Sequence, residues 1–147
     1  MDELFIEDMR TQLQAYLNCL ELCRALHKQT DEPSVRQALD SPIDDLQELV
    51  VSLASHLRQR GVAPGAYQLD REGKARIREM LGTRSLRDQL FIVRRCLADL
   101  VAFYDKHAPA DQADPSAFDW PASLSAQTQR ILEEWDQHLR ELKATLS

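Results

Sequence analysis

The chain predicts an all-α fold: a four-helix bundle with one short extra helix between the second and third long helices. Three observations carry this. Four long stretches place apolar residues at alternating spacings of three and four, the seam of a bundle helix. Between them lie Pro, Gly, Asp and Ser signals that stop one helix and start the next. The 147 residues are 44% hydrophobic with four Gly and six Pro. That composition suits one ordered helical domain over 1–147 with one well-buried core.

The first helix is predicted from about Asp2 to about Lys28. Its seam is Met9, Leu13, Tyr16, Leu20, Cys23 and His27, and Leu17 and Leu26 widen it. Thr30, Asp31 and Pro33 supply the stop and restart. A second helix begins near Pro33 or Ser34, with the seam Val35, Leu39, Leu46, Val50, Leu53 and Leu57. Pro42 lacks a backbone donor and clashes with the preceding turn, so a kink or a fresh start capped by Ser41 is expected there. Gly61 reads as the C-terminal stop, reinforced by Pro64-Gly65. The short link between these two helices makes them antiparallel neighbours.

Asp70 caps a short helix through Leu81, anchored by Ile77, Met80 and Leu81 and ended by Gly82. Ser85 caps the third long helix, which runs to about His107 on the seam Leu86, Leu90, Val93, Leu97, Leu100 and Tyr104. Pro109 to Ala122 reads as a long loop whose Phe118 and Trp120 fold back over one end of the bundle. The fourth helix starts at Ser123 or Ser125, with Ile131, Trp135, Leu139, Leu142 and Leu146 on one stripe. Leu17, Leu22, Leu26 and Val51 lie outside the main seams and suggest a second buried face.

The net charge of −6 argues against general nucleic-acid binding. No apolar run reaches membrane-spanning length, and MDELFIEDMR has no leader pattern, so a cytoplasmic location is expected. Three cysteines, Cys19, Cys23 and Cys96, fit a reducing compartment. Cys19 and Cys23 share a helix face. They could hold a soft metal together with Cys96 or serve as small buried hydrophobes. Phosphate-binding Gly loops, Rossmann fingerprints and serine-hydrolase motifs are absent.

Charge is uneven along the chain. Arg71, Lys74, Arg76, Arg78, Arg84, Arg87, Arg94 and Arg95 face only Glu72, Glu79 and Asp88 in that segment, a local +5 against −11 elsewhere. This strip is either a solvated face or a docking site for an acidic partner or a second copy. Arg71, Lys74, Arg76, Arg78, Arg84, Arg87 and Trp120 are the candidate contact residues.

Several strings carry a resemblance. They are ELFIEDMRTQLQAYLNCLELCRALHK (Glu3 to Lys28), EPSVRQALDSPIDDLQELVVSLASHLRQRGVAP (Glu32 to Pro64), RCLADLVAFY (Arg95 to Tyr104) and LEEWDQHLREL (Leu132 to Leu142). Together they resemble the bacterial YciF-type ferritin-like proteins, whose pattern is a leading LF…EL, then SPEL…AF, then a helix ending in LG..P. The resemblance implies an up-down-down-up bundle, a stress-associated role, a homodimer and descent from a di-metal carboxylate centre. Such a centre takes inward carboxylates from each helix and usually two His. Here the family's positions fall on Tyr16, on Leu46 and Leu49, on Leu97 or Leu100, and on Trp135 with His138. No Glu-x-x-His occurs in the chain.

The expectation is therefore a ferritin-like bundle that has lost its metal centre, binds no cofactor and acts without catalysis through protein contacts. His138 is either a remnant ligand or a core-edge His bonded to Glu134, Glu141 or Tyr16. The alternative is an iron or manganese protein with an atypical site built from Asp45, Glu48, Asp99, Glu134 and His138. A small-molecule site in the inter-helix space is the third reading.

Overall fold

Apolar residues at the expected spacing build α1 (Glu3–Gln29). Its seam residues from Met9 to Cys23 are buried, and so are Leu17, Leu22 and Leu26. The computed structural model describes residues 3–65, 68–106 and 120–146. After α1 come α2 (Pro33–Gln59), α3 (Arg71–Leu81), α4 (Leu86–Lys106) and α5 (Trp120–Leu146). All five elements are α-helices.

The wide stripe of α1 has a cause in the packing. α1 lies against α2, α3 and α4, whereas α5 lies against α2 and α4. The long helices thus touch in the closed order α1–α2–α5–α4. α3 sits outside that cycle, against α1 and α4. The second buried face expected from the sequence exists on α1. It does not exist at Val51, which is 61% exposed because none of the described elements covers that side of α2.

Helix ends follow local chemistry. At the end of α2, Gly61 adopts φ +73°. The Val62 N–H reaches Leu57 O at 3.0 Å and the Gly61 N–H reaches Arg58 O at 2.9 Å. This paired closure needs a left-handed residue, which glycine takes without a Cβ penalty. Asp70 caps α3 by accepting the Gly73 N–H at 2.8 Å, and Ser85 Oγ accepts the Asp88 N–H of α4 at 3.3 Å.

Three expectations are corrected. Of the two outcomes expected at Pro42, a kink or a fresh start at Ser41, the fresh start does not occur, because α2 runs through Pro42. Pro42 is buried on the core face, and its packing offsets the lost hydrogen bond, a penalty of about 3 kcal/mol. α5 starts at Trp120 rather than Ser123 or Ser125. Pro121 then falls in the first turn, where an absent N–H costs nothing. Leu81 is no anchor, being 42% exposed, and Met80 carries the burial of α3. The loop expected over 109–122 lies outside the described residues up to 119, Phe118 and His107 with it. The side chains of Trp120 and Leu146 also fall outside the described set.

One polar feature of α1 escapes a hydrophobic reading. Arg10, Gln14 and Asn18 recur every four residues on one edge. Arg10 donates to Ala63 O at 2.8 Å, Gln14 to Gln68 O at 3.0 Å and Asn18 to Asp70 Oδ1 at 2.9 Å. This row fastens the α2–α3 connection along α1. None of the described helices is long and apolar enough to cross a membrane.

Gly73 of α3 is buried against this row. A Cβ there would run into the Asn18 carboxamide and sit 2.9 Å from Leu69 Cδ2. Asn18 cannot swing aside cheaply, because Gln14 and Asp70 both hold it. Gly→Ala inside a helix ordinarily gains roughly 0.5–1 kcal/mol. Gly73→Ala should instead lose about 1–2 kcal/mol in urea denaturation through overpacking.

Candidate functional site

Of the positions that the ferritin-like resemblance assigns to metal ligands, all but His138 lie in the core. Tyr16, Leu46, Leu49, Leu97, Leu100 and Trp135 are buried. In place of carboxylates the interior holds a hydroxyl network. The Tyr16 hydroxyl on α1 hydrogen-bonds the Tyr104 hydroxyl on α4. It also meets Thr128 Oγ1 on α5 at 2.7 Å. Thr128 in turn donates to Leu124 O at 2.6 Å. The buried Gln12 amide donates to Leu100 O at 3.2 Å, a second polar tie between α1 and α4. Tyr104, Thr128 and Gln12 carry no sequence signal for this role beyond their places on helical stripes.

Trp135 does not join the network. Its indole N–H is buried without a partner, and its ring stands at 65° to that of His138, with centroids 6.4 Å apart. His138 lies at the edge of the core, its side chain 32% exposed, with Nδ1 3.9 Å from Glu141 Oε2. This is the core-edge arrangement with Glu141 as the neighbour.

The atypical-site residues are spread over the molecule. Asp45, Glu48 and Glu134 gather on the α2–α5 side, where Glu134 Oε2 accepts from Ser41 Oγ at 3.4 Å. Partial burial, then the charges of Glu134 and Glu48, push the Asp45 carboxyl above its ordinary range. Asp99 is elsewhere, its carboxylate 2.9 Å from Arg76 of α3. Among the described residues no group of three or more His, Cys, Asp or Glu could hold a metal ion. The three cysteines are free and buried, and Cys19 lies beside both Cys23 and Cys96.

The basic strip divides in two. Arg76, Arg94 and Arg95 spend their charge within the fold. Arg76 meets Asp99, Arg94 meets Asp136 of α5 at 2.7 Å, and Arg95 meets Glu79 of α3 at 3.7 Å. Arg71, Lys74, Arg78, Arg84 and Arg87 remain exposed. Beside Arg87 lies an open groove of about 980 Å³ between the start of α4 and the end of α5. Leu86, Leu90, Leu139 and Leu142 form its floor, and Arg87 and Lys143 stand at its rim with Asp88. Phe91 also lines it and is 56% exposed. Neither Phe91 nor the groove was singled out by the sequence, since Phe91 lies off the main seam and the groove needs both helices. No protein-family model, curated protein or solved structure matches the chain.

The hydroxyl network makes stability depend on alkaline pH. Burial raises the Tyr16 phenol above its ordinary 10.0. Burial and the neighbouring Tyr16 raise Tyr104 further. The unfolded chain ionises first, so this stability is whole below pH 10 and is lost as pH rises towards the folded values. Unfolding free energy should fall above about pH 10 by up to roughly 1.4 kcal/mol per pH unit for each tyrosine. Tyr104→Phe should flatten the slope in urea melts, and an unchanged slope would remove the network as its source.

Proposed function

We propose that this chain is a non-catalytic helical bundle of ferritin-like descent that works by protein contact, with the α4–α5 groove and its basic rim as the contact face. The exposed Phe91 beside that groove carries the reading. A large exposed aromatic over an apolar floor is the usual make-up of a binding anchor. Among the described residues the interior positions of the family's ligands hold buried Leu, Tyr and Trp. That filling supports the lost-metal reading, and with it the stress-related setting that the resemblance implies.

The partner that fits is an acidic protein segment carrying apolar side chains. Arg87 and Lys143 stand at the groove's rim with positive charge against Asp88. Opposite charge across the rim speeds docking and selects partners, while the Phe91 ring supplies most of the affinity as the partner covers it.

Photo-crosslinking in the native host tests this, with the crosslinking side chain placed at position 91 or, as control, at exposed Val51. An acidic protein captured from position 91 and not from 51 is expected. Capture should drop about tenfold when Arg87 and Lys143 become Glu, the equivalent of about 1.4 kcal/mol. Capture of only a second copy, or equal capture from position 51, would overturn the assignment.

A further inference from the structure

Two exposed helical stripes match each other in spacing and oppose each other in charge. On α3 the stripe is Lys74, Arg78 and Leu81, at steps of four and three. On α2 it is Asp44, Glu48 and Val51, at the same steps. All six residues are exposed. Among the described residues no ion pair or side-chain hydrogen bond holds the four charged ones. The large exposed hydrophobics in this set are Val51, Leu81 and Phe91. Phe91 belongs to the groove, and the other two each end a charged stripe. We propose that the α3 stripe of one copy docks on the α2 stripe of a second copy, with Lys74 against Asp44, Arg78 against Glu48 and Leu81 against Val51.

Charge and geometry select this pairing. Among the described residues α2 and α3 of one chain do not touch, since α3 lies on α1 and α4. The stripes therefore meet only between molecules. Two α3 stripes would set cations against cations, and two α2 stripes would set carboxylates against carboxylates. Helices running in opposite directions would put Lys74 on Val51 and Leu81 on Asp44. Running the same way, they keep both ion pairs and the apolar pair together. One turn earlier, Arg71 then falls opposite Ser41, whose hydroxyl donates to the Glu134 carboxylate at 3.4 Å. A third cation thus comes near a third carboxylate. Glu72 and Glu79 lie off the α3 stripe, and Glu79 already meets Arg95 at 3.7 Å. The α2 side is crowded with like charge. Glu134, Glu48 and Asp44 all act on Asp45, with Arg130 opposing them. Cations arriving from a second copy relieve that crowding.

The net charge of −6 makes two copies repel at a distance. At about 0.15 M salt that repulsion is screened beyond about 8 Å, which leaves the near pairs to act. Exposed ion pairs are individually weak. Two short stripes also fall below the roughly 1,200 Å² of a stable interface, so the contact is transient. It joins unlike patches, so copies add head to tail or close into a ring. The α4–α5 groove takes no part, and a crosslinking side chain at position 51 would capture a second copy and not the groove's partner.

The test is sedimentation equilibrium of the full chain across a concentration series. At about 0.15 M salt the average mass should climb above 16.9 kDa as concentration rises. At about 1 M salt it should stay near the monomer. Lys74→Glu with Arg78→Glu should weaken association about tenfold or more, and so should Asp44→Lys with Glu48→Lys. These positions are exposed, and circular dichroism checks that both variants keep their helices. Mixed in equal amounts, the two variants should associate again, because each supplies the charge that the other has lost. Leu81→Cys chains mixed with Val51→Cys chains should form a disulfide between copies under mild oxidation. A monomer up to about 1 mM, association that survives in either charge-reversed variant, or a mixture that stays monomeric would overturn the proposal. A disulfide that forms as fast between Lys74→Cys and Val51→Cys would overturn the direction of the two helices.

Discussion

The Tyr16 hydroxyl is the constraint on which the arrangement of α1, α4 and α5 depends. It meets Tyr104 and Thr128 in the dry interior. A buried hydroxyl left alone costs roughly 1–3 kcal/mol. Sliding any one helix by a turn would separate these groups and strand at least one of them. Apolar side chains tolerate such slips, since one leucine can replace another against a neighbour. Hydroxyls with few partners do not. Gln12, donating to the Leu100 carbonyl, adds a second tie between α1 and α4.

Around this centre α1 acts as the hub. Its core stripe meets α2 and α4, while its polar row of Arg10, Gln14 and Asn18 holds the connection that leads into α3. α3 is too short to be a stable helix alone. It persists because Met80 is buried, Asp70 caps it, and Arg76 and Glu79 reach ionic partners on α4.

The contact face and the thiol cluster lie in different places and rest on different physics. The groove is an outward feature of α4 and α5, where apolar floor and basic rim remain open to solvent. The thiols are inward, at the meeting of α1, α3 and α4. Both involve α4, whose inner seam carries Cys96 and Tyr104 while its outer side carries Arg87 and Phe91.

Periodicity and end signals determined the helices. A 3.6-residue repeat is a local property, and so are a capping Asp70, a capping Ser85 and a left-handed Gly61. Each can be read within a few neighbours. The burial of Tyr16, Leu46, Leu97 and Trp135 was legible for the same reason. Tertiary structure decided the rest. Pro42 remains helical because the core packs on it. Val51 is exposed because none of the described elements covers it, and Arg76 leaves the basic strip because Asp99 lies across from it. Tyr104, Thr128, Phe91 and the convergence of the cysteines depend on which helix faces which. Contact energies between residues distant in the chain are not written in the spacing of either partner.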